Sequence, residues 1–256
     1  MIGFSYLYLI LPFCMSFFIT LFVIKVLHIK LSQFIKIPDG PQKIHHENTP
    51  RLGGISIFVT ILIMSAFHYL YSDDNKDFIL LCLLTLTPIF IFGLWEDITQ
   101  VVSPKLRLFG SLLSTILLIS IFDLKVVNVG INILNLFLTY KYVSLTFTAI
   151  CVVYLVQSFN IIDGLNGLSL FTGLISFTTV STIAYQLNDF YNFTLPLFFI
   201  SILLGVFIFN FPYGKIFIGD SGAYLIGLSL SLSILLLLKN NPDISPFIIV
   251  QTLIYP

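Results

Sequence analysis

Long apolar runs separated by short polar connectors repeat along the whole chain. Eight of these runs approach the ~20 residues that an α-helix needs to cross a bilayer. They lie at about 4–25, 52–71, 78–95, 106–122, 143–159, 164–185, 193–210 and 221–238. Because backbone polar groups in lipid must be satisfied within their own segment, such runs predict helices. The pattern predicts an all-α, polytopic transmembrane helical bundle forming a single domain over residues 1–256.

A ninth apolar segment begins near Ser245 and runs to the last residue, Pro256. We expect it to be a truncated span. Composition supports a surface that faces lipid, because 57% of the residues are hydrophobic and only 9% are charged, whereas soluble domains are about 25% charged. Twelve basic residues balance twelve acidic ones, and no nucleic-acid partner is predicted.

The connectors alternate between two sides of the predicted membrane. One side carries connectors 26–51, 96–105, 160–163 and 211–220, and with helix-edge residues included it holds eight of the twelve basic residues. Short loops rich in Lys and Arg stay in the cytoplasm. The bias therefore predicts a membrane protein with its N-terminus outside and these four connectors in the cytoplasm.

The first two inner connectors carry candidate ligand groups. PDGPQKIHHENTPRLGG, residues 38–54, contains Lys43 and His45 and suits an anionic ligand such as phosphate, although a positive-inside loop alone explains its lysines. In GLWEDITQVVSPKLRL, Glu96 and Asp97 are adjacent acids, and Lys105 lies about two turns further on. Adjacent carboxylates repel unless a proton or a divalent cation reconciles them, but a solvated helix end is the plainer alternative.

The other two inner connectors place acids directly against apolar helices. In NIIDGLNGL, Asn160, Asp163 and Asn166 recur every three residues and are predicted to share one side. The alternative is that Asp163 only caps a helix beginning at Gly164, which is worth ~1 kcal/mol. In FPYGKIFIGDSGAYLIGLSL, Asp220 is likewise predicted to N-cap the next helix, a role compatible with binding Mg²⁺.

The sequence contains no GxxxxGK[ST], GxSxG or HExxH motif. Acids, bases and amides without a nucleophilic Ser or Cys fit metal-assisted phosphoryl chemistry, in which catalysis is mainly positioning and charge neutralisation. A transporter and a non-catalytic membrane scaffold are the alternatives. Transporters carry ionisable groups near the bilayer midplane, often in repeated halves, whereas these acids lie at helix ends and no convincing repeat is found.

The four strings resemble, in order, the motifs of the polyprenyl-phosphate N-acetylhexosamine-1-phosphate transferases, the integral membrane family that includes the phospho-MurNAc-pentapeptide translocase. KIHHENTPRLGG is similar to the family's K-x-H…P-x-x-G-G loop, and GLWED stands where the family has G-x-x-D-D, with Glu96 replacing the first Asp. NIIDGLNGL matches N-x-x-D-G-x-[DN]-G-L. FNFPYGKIFIGDSGAYLIG matches an Asn/Pro-rich loop that ends in F-x-G-D-x-G. The family continues beyond this point, so the resemblance also implies a C-terminally truncated chain, and such a fragment could be inactive.

The resemblance implies transfer of N-acetylhexosamine-1-phosphate from a UDP-sugar to undecaprenyl or another polyprenyl phosphate, with release of UMP. The resemblance implies that this step initiates a cell-envelope glycan at the bacterial cytoplasmic membrane, and lipopolysaccharide O-antigen, capsule and teichoic acid stay open as that glycan. It implies Mg²⁺, or Mn²⁺ in its place, and two partners, UDP-N-acetylhexosamine and the lipid phosphate; a homodimer is compatible with it. The implied roles are catalytic for Asp97, Glu96 and Asp163, substrate-binding for Lys43, His45, Lys105, Asn160, Asn166 and Asn210, and metal-binding for Asp220.

Overall fold

The computed structural model describes residues 2–27, 49–71 and 76–244. Lys43, His45 and the ninth apolar segment lie outside these ranges. Within them the chain forms nine α-helices and no strand. The helices are α1 (Ile2–Phe22, continued by a π-helical turn Val23–Leu27), α2 (Gly53–Tyr71), α3 (Lys76–Thr99), α4 (Pro104–Phe122), α5 (Asn132–Leu138), α6 (Lys141–Ile162), α7 (Leu168–Gln186), α8 (Phe190–Asn210) and α9 (Gly219–Asn240).

Eight of these helices have the length and hydropathy of membrane spans, and they coincide with the eight predicted runs. The predicted all-α, multi-pass architecture is therefore confirmed. Helix α5 was not predicted, because its seven residues lie in the connector 123–142 and are too few to span a bilayer.

The central helix is α9, which is almost wholly buried, whereas at most half of the residues of each other span are buried. It packs most extensively against α3 and α6, and also against α2, α7 and α8. Small residues allow this close packing: a Cβ added to Gly227 would lie only 2.7 Å from the Val156 Cα. The buried hydroxyls of Ser229, Ser231 and Ser233 donate to carbonyl oxygens of their own helix, so they need no partner from another helix.

Candidate active site

The ends of five helices meet at the N-terminus of α9. Helix α3 ends there, α4 begins there, α6 ends there and α7 begins beside it, and the start of α2 is bonded to the segment before α9. These elements carry the predicted acids and amides from three of the four sequence strings. The structure thus brings together residues that are more than 120 positions apart in the chain.

The Asp220 carboxylate lies in the first turn of α9 and forms a cluster with Arg107, Asn160 and Tyr224, called here the Asp220 cluster. Its Oδ2 accepts a hydrogen bond from Arg107 Nη1 at 2.6 Å, and the Asp220 side chain is 13% exposed. Asn160 Nδ2 lies 3.4 Å and the Tyr224 hydroxyl 3.5 Å from the same oxygen. The prediction that Asp220 N-caps this helix is wrong: Ile218 occupies the cap position and makes no side-chain cap bond.

The cap of α9 comes instead from Asp97, near the end of α3. Asp97 Oδ1 accepts the Asp220 backbone N–H at 2.7 Å, and Asp97 Oδ2 accepts the Ser221 backbone N–H at 3.0 Å and the Ser221 hydroxyl. The Asp97 side chain is 1% exposed. Gly219 makes this approach possible, since it has a φ of +70° and a Cβ there would overlap the Asp97 carboxylate.

Glu96 faces different surroundings from its neighbour Asp97. Its Oε2 accepts the Val102 backbone N–H at 2.8 Å, which fixes the turn between α3 and α4. Glu96 is half-buried. Consecutive residues of a helix point about 100° apart, so the two acids can be adjacent in sequence without their carboxylates sharing one site. Their predicted catalytic roles remain predictions.

The string NIIDGLNGL forms the end of α6 and the turn into α7. Asn160 donates to the Tyr224 hydroxyl at 2.8 Å as well as facing Asp220. The alternative in which Asp163 caps a helix beginning at Gly164 is wrong, because Asp163 is the C-cap of α6 and α7 begins at Leu168. The turn needs a residue with positive φ before α7, and Gly167 supplies it at +80°.

Burial raises the pKa of Asp163 to about 7, with the Ser169 hydroxyl and the Arg51 charge acting in the opposite direction and the Asp220 charge raising it further. Ser169 Oγ donates to Asp163 Oδ1 at 2.6 Å. Arg51 therefore lies close enough to act on this side of the site. A carboxyl group with a pKa near neutrality can either hold or release a proton under physiological conditions.

Asn210 and Asn166 lie at the turn between α6 and α7 and not beside the Asp220 carboxylate. Asn210 is 4% exposed; its Oδ1 accepts the Gly167 N–H and its Nδ2 donates to the Ile216 carbonyl at 2.7 Å. It thus ties the α6–α7 turn to the segment before α9. Asn166 lies against Gly214, where a Cβ would come within 2.7 Å of its Nδ2. Lys105 is exposed in the first turn of α4.

The glycines of two strings allow backbones to meet at the start of α9. Gly53 and Gly54 donate their N–H groups to the Phe217 and Ile218 carbonyls, each at 2.9 Å. Gly93 of α3 packs against Ser221, where a Cβ would lie 2.5 Å from the Ser221 Cα. Any larger residue at these positions would separate the elements that carry the acids.

Sequence analysis counted Arg107 among the basic residues of the inner side but gave it no role in the site, although its Nη1 lies 2.6 Å from Asp220 Oδ2. It lies within the apolar helix α4, with 24% of its side chain exposed. Within the described residues its Nε is buried and without a hydrogen-bond partner. An ionisable side chain inside a membrane span is by default a functional candidate. Arg107 could have been selected on this ground, but it was counted only as a basic residue of the neighbouring connector.

Asp220 fits the role of a Mg²⁺ ligand. Its Oδ1 accepts no hydrogen bond from any described residue, so one carboxylate oxygen remains for a cation. Over residues 2–27, 49–71 and 76–244 no group of three His, Cys, Asp or Glu side chains is arranged to hold a metal. Mg²⁺ at phosphate sites is usually bound by one or two carboxylates together with substrate phosphates and water, which matches this donor set.

Comparison with known proteins gives consistent relatives. A phospho-N-acetylmuramoyl-pentapeptide-transferase of Streptococcus agalactiae is 27% identical over 222 residues, covering 79% of this chain and 66% of that protein. A probable undecaprenyl-phosphate N-acetylglucosaminyl 1-phosphate transferase of Bacillus subtilis is 27% identical over 195 residues, covering 76% of this chain and 53% of that protein. An undecaprenyl-phosphate alpha-N-acetylglucosaminyl 1-phosphate transferase of Thermotoga maritima is 29% identical over 219 residues, covering 83% of this chain and 61% of that protein.

The aligned part of the chain thus spans between 53% and 66% of the length of these relatives. The sequence profile of glycosyl transferase family 4 matches residues 79–238, which include α4 to α8, nearly all of α3 and α9, and the Asp97, Asp163 and Asp220 carboxylates. This match covers more than half of the chain and contains the whole Asp220 cluster. The protein is therefore a multi-pass membrane member of glycosyl transferase family 4.

Proposed function

We propose that this protein transfers an N-acetylhexosamine-1-phosphate group from a UDP-sugar to a polyprenyl phosphate and releases UMP. The observation that carries the proposal is the Asp220 carboxylate at the end of a membrane helix, which has one oxygen paired with Arg107 and the other without a hydrogen bond from the described residues. The relatives support the same reaction class, since their names specify undecaprenyl phosphate and N-acetylglucosaminyl 1-phosphate.

In this reaction an oxygen of the lipid phosphate attacks the β-phosphorus of the UDP-sugar. One P–O bond forms to the lipid, and the P–O bond to the α-phosphate breaks, so that UMP leaves with the bonding electron pair. Mg²⁺, bound through Asp220, would neutralise charge on the diphosphate. Arg107 provides a fixed positive charge beside Asp220, and Asn160 provides an amide donor.

Three predicted roles remain part of the proposal. Asp163, with a pKa of about 7 raised mainly by burial, can accept or release a proton at the edge of the cluster. Lys105 is exposed in the first turn of α4 and suits a phosphate contact. Lys43 and His45 are proposed to bind phosphate, and they lie outside the described residues.

The helical architecture fits the two substrates. A polyprenyl phosphate keeps its tail in lipid and its phosphate at the membrane surface, and the Asp220 cluster lies where five helices end or begin. We propose that this surface is cytoplasmic, where UDP-sugars are made, and that the product begins a cell-envelope glycan. The excess of basic residues on this side supports that orientation.

The test uses purified protein, UDP-N-acetylglucosamine labelled in the sugar, and undecaprenyl phosphate in detergent. We expect UMP and a labelled lipid to appear in equal amounts with Mg²⁺ and to disappear with EDTA. Parallel reactions with other UDP-N-acetylhexosamines identify the donor. Absence of UMP with every donor would refute the proposal, and uptake of intact UDP-sugar into proteoliposomes would indicate a transporter instead.

A further inference from the structure

We infer that Asp97 is a positioning residue, which fixes the start of α9 and thereby the location of the Asp220 carboxylate, and does not itself contact substrate. Only the activity measurements that test this inference rest on the proposed function. It gives one member of the adjacent acid pair a role that its position in the sequence does not reveal.

The hydrogen bonds of Asp97 leave it little capacity for substrate. Oδ1 is bonded to the Asp220 N–H, Oδ2 is bonded to the N–H and the hydroxyl of Ser221, and the side chain is 1% exposed. A carboxylate that contacted a phosphate or a metal would have to break these bonds and reach the surface. In contrast, the neighbouring Glu96 is half-buried and uses one oxygen for a single backbone N–H.

The need for Asp97 follows from how helices begin. The first N–H groups of an α-helix have no partner within the helix, and a Ser, Thr, Asp or Asn at the cap position usually accepts one of them. Helix α9 has Ile218 there, whose side chain has no atom that can accept a hydrogen bond. Asp97 supplies the missing acceptor from another helix.

This contact transmits position directly to Asp220. The N–H that Asp97 Oδ1 accepts at 2.7 Å belongs to Asp220 itself. This hydrogen bond fixes the Asp220 backbone nitrogen, which is one bond from the Cα that carries the carboxylate side chain. A second contact supports the interface between α3 and α9, where Gly93, one turn earlier on α3, packs against the backbone of Ser221. A shift of α9 relative to α3 would therefore move Asp220 away from Arg107 and Asn160.

The experiment compares Asp97→Asn, Asp97→Ala and Ser221→Ala. Asn keeps an oxygen that can accept the Asp220 N–H and is as good a helix cap as Asp. It cannot take a proton, and its amide NH₂ cannot accept the Ser221 N–H that Asp97 Oδ2 accepts. Ser221→Ala removes one hydrogen bond to Asp97 and leaves its carboxyl group intact. The matched control is Asp189→Ala, which removes the cap of α8, where Asp189 Oδ1 accepts the Asn192 N–H at 3.2 Å.

Four quantities are measured for each variant. Amide hydrogen exchange over residues 219–224 in metal-free protein reports the start of α9 and does not require turnover. Initial rates of UMP release give kcat and the half-saturating Mg²⁺ concentration, and the acidic limb of the pH–rate profile reports loss of a catalytic base.

We expect Asp97→Ala to exchange about tenfold faster at the start of α9 and to lose about 100-fold in kcat. Ser221→Ala should exchange about threefold faster at the start of α9 and lose about threefold in kcat. Asp97→Asn should stay within about tenfold of the wild-type rate, with an unchanged acidic limb. The half-saturating Mg²⁺ concentration should rise as exchange rises. Asp189→Ala should speed exchange at the start of α8 and leave kcat unchanged.

The inference is overturned if Asp97→Asn loses as much activity as Asp97→Ala while exchange over residues 219–224 stays at the wild-type rate, because Asp97 would then act through its charge or proton. It is equally overturned if exchange rises in all three variants without loss of rate, or if Asp189→Ala lowers kcat. If the wild-type protein releases no UMP, the proposed function fails, whereas the exchange data still decide whether Asp97 holds the start of α9.

Discussion

Replacement of Gly93 by Ala tests whether close contact between α3 and α9 sets the geometry of the site. The added Cβ would lie 2.5 Å from the Ser221 Cα and 2.7 Å from the Ser221 N. Ordinary contacts of this kind are 3.4–4 Å, so the two backbones must separate by about 1 Å, and backbone atoms cannot rotate aside as a flexible side chain can.

Gly93→Ala is expected to lower both the stability and the activity of the protein. Overpacking costs about 1–3 kcal/mol, and the higher helix propensity of Ala recovers about 1 kcal/mol. The net loss in unfolding free energy is thus at most about 2 kcal/mol by these values. A displacement of about 1 Å at a reacting centre can nevertheless lower the rate about 100-fold.

The assay measures UMP release at saturating substrates together with thermal unfolding in the same detergent. Gly205→Ala is the matched control, since its Cβ would meet the Ser16 Cβ at 2.7 Å and the Phe17 N at 2.9 Å, on the contact between α8 and α1. It should lose similar stability and keep its kcat. A wild-type rate in Gly93→Ala, or equal losses of rate in both variants, would refute the reasoning.

Three further predictions concern the charged groups of the site. Asp220→Asn should reduce UMP release at least about 1000-fold without loss of membrane-inserted protein, and retained activity would place the metal elsewhere. Arg107→Lys, which keeps the charge but loses the planar donor arrangement, should lower kcat about tenfold, as measured by initial rates; an unchanged rate would remove Arg107 from the mechanism. Burial raises the Asp163 pKa to about 7, so ionisation of Asp163 opposes folding. The stability that protonated Asp163 contributes is fully present below about pH 4 and is lost as pH rises to about 7. Relative to wild type, Asp163→Asn should therefore gain up to about 1.4 kcal/mol of unfolding free energy per pH unit between pH 4 and 7 and no more above it, and a pH-independent difference would contradict this.

Neither Asp163 nor Asp220 takes the N-cap role that the sequence allowed as an alternative, and the two outcomes have a common physical cause. Asp163 and Asp220 each precede a strongly apolar run and follow or precede glycine, which locally is a good start signal for a helix. At Asp163 the turn continues to Gly167, whose positive φ starts α7. At Asp220 the helix begins before the acid, because Asp97 of α3 supplies the acceptor that a local cap would have supplied.

The order of apolar and polar positions by itself determined the eight spans, the all-α class and the membrane face on which the acids gather. It could do so because span length and backbone satisfaction in lipid are properties of single segments. Only the tertiary structure decided which span is central, that Arg107 pairs with Asp220, and that Glu96 and Asp97 face different surroundings. These features depend on contacts between residues more than 100 positions apart, and no local pattern encodes a distance between helices.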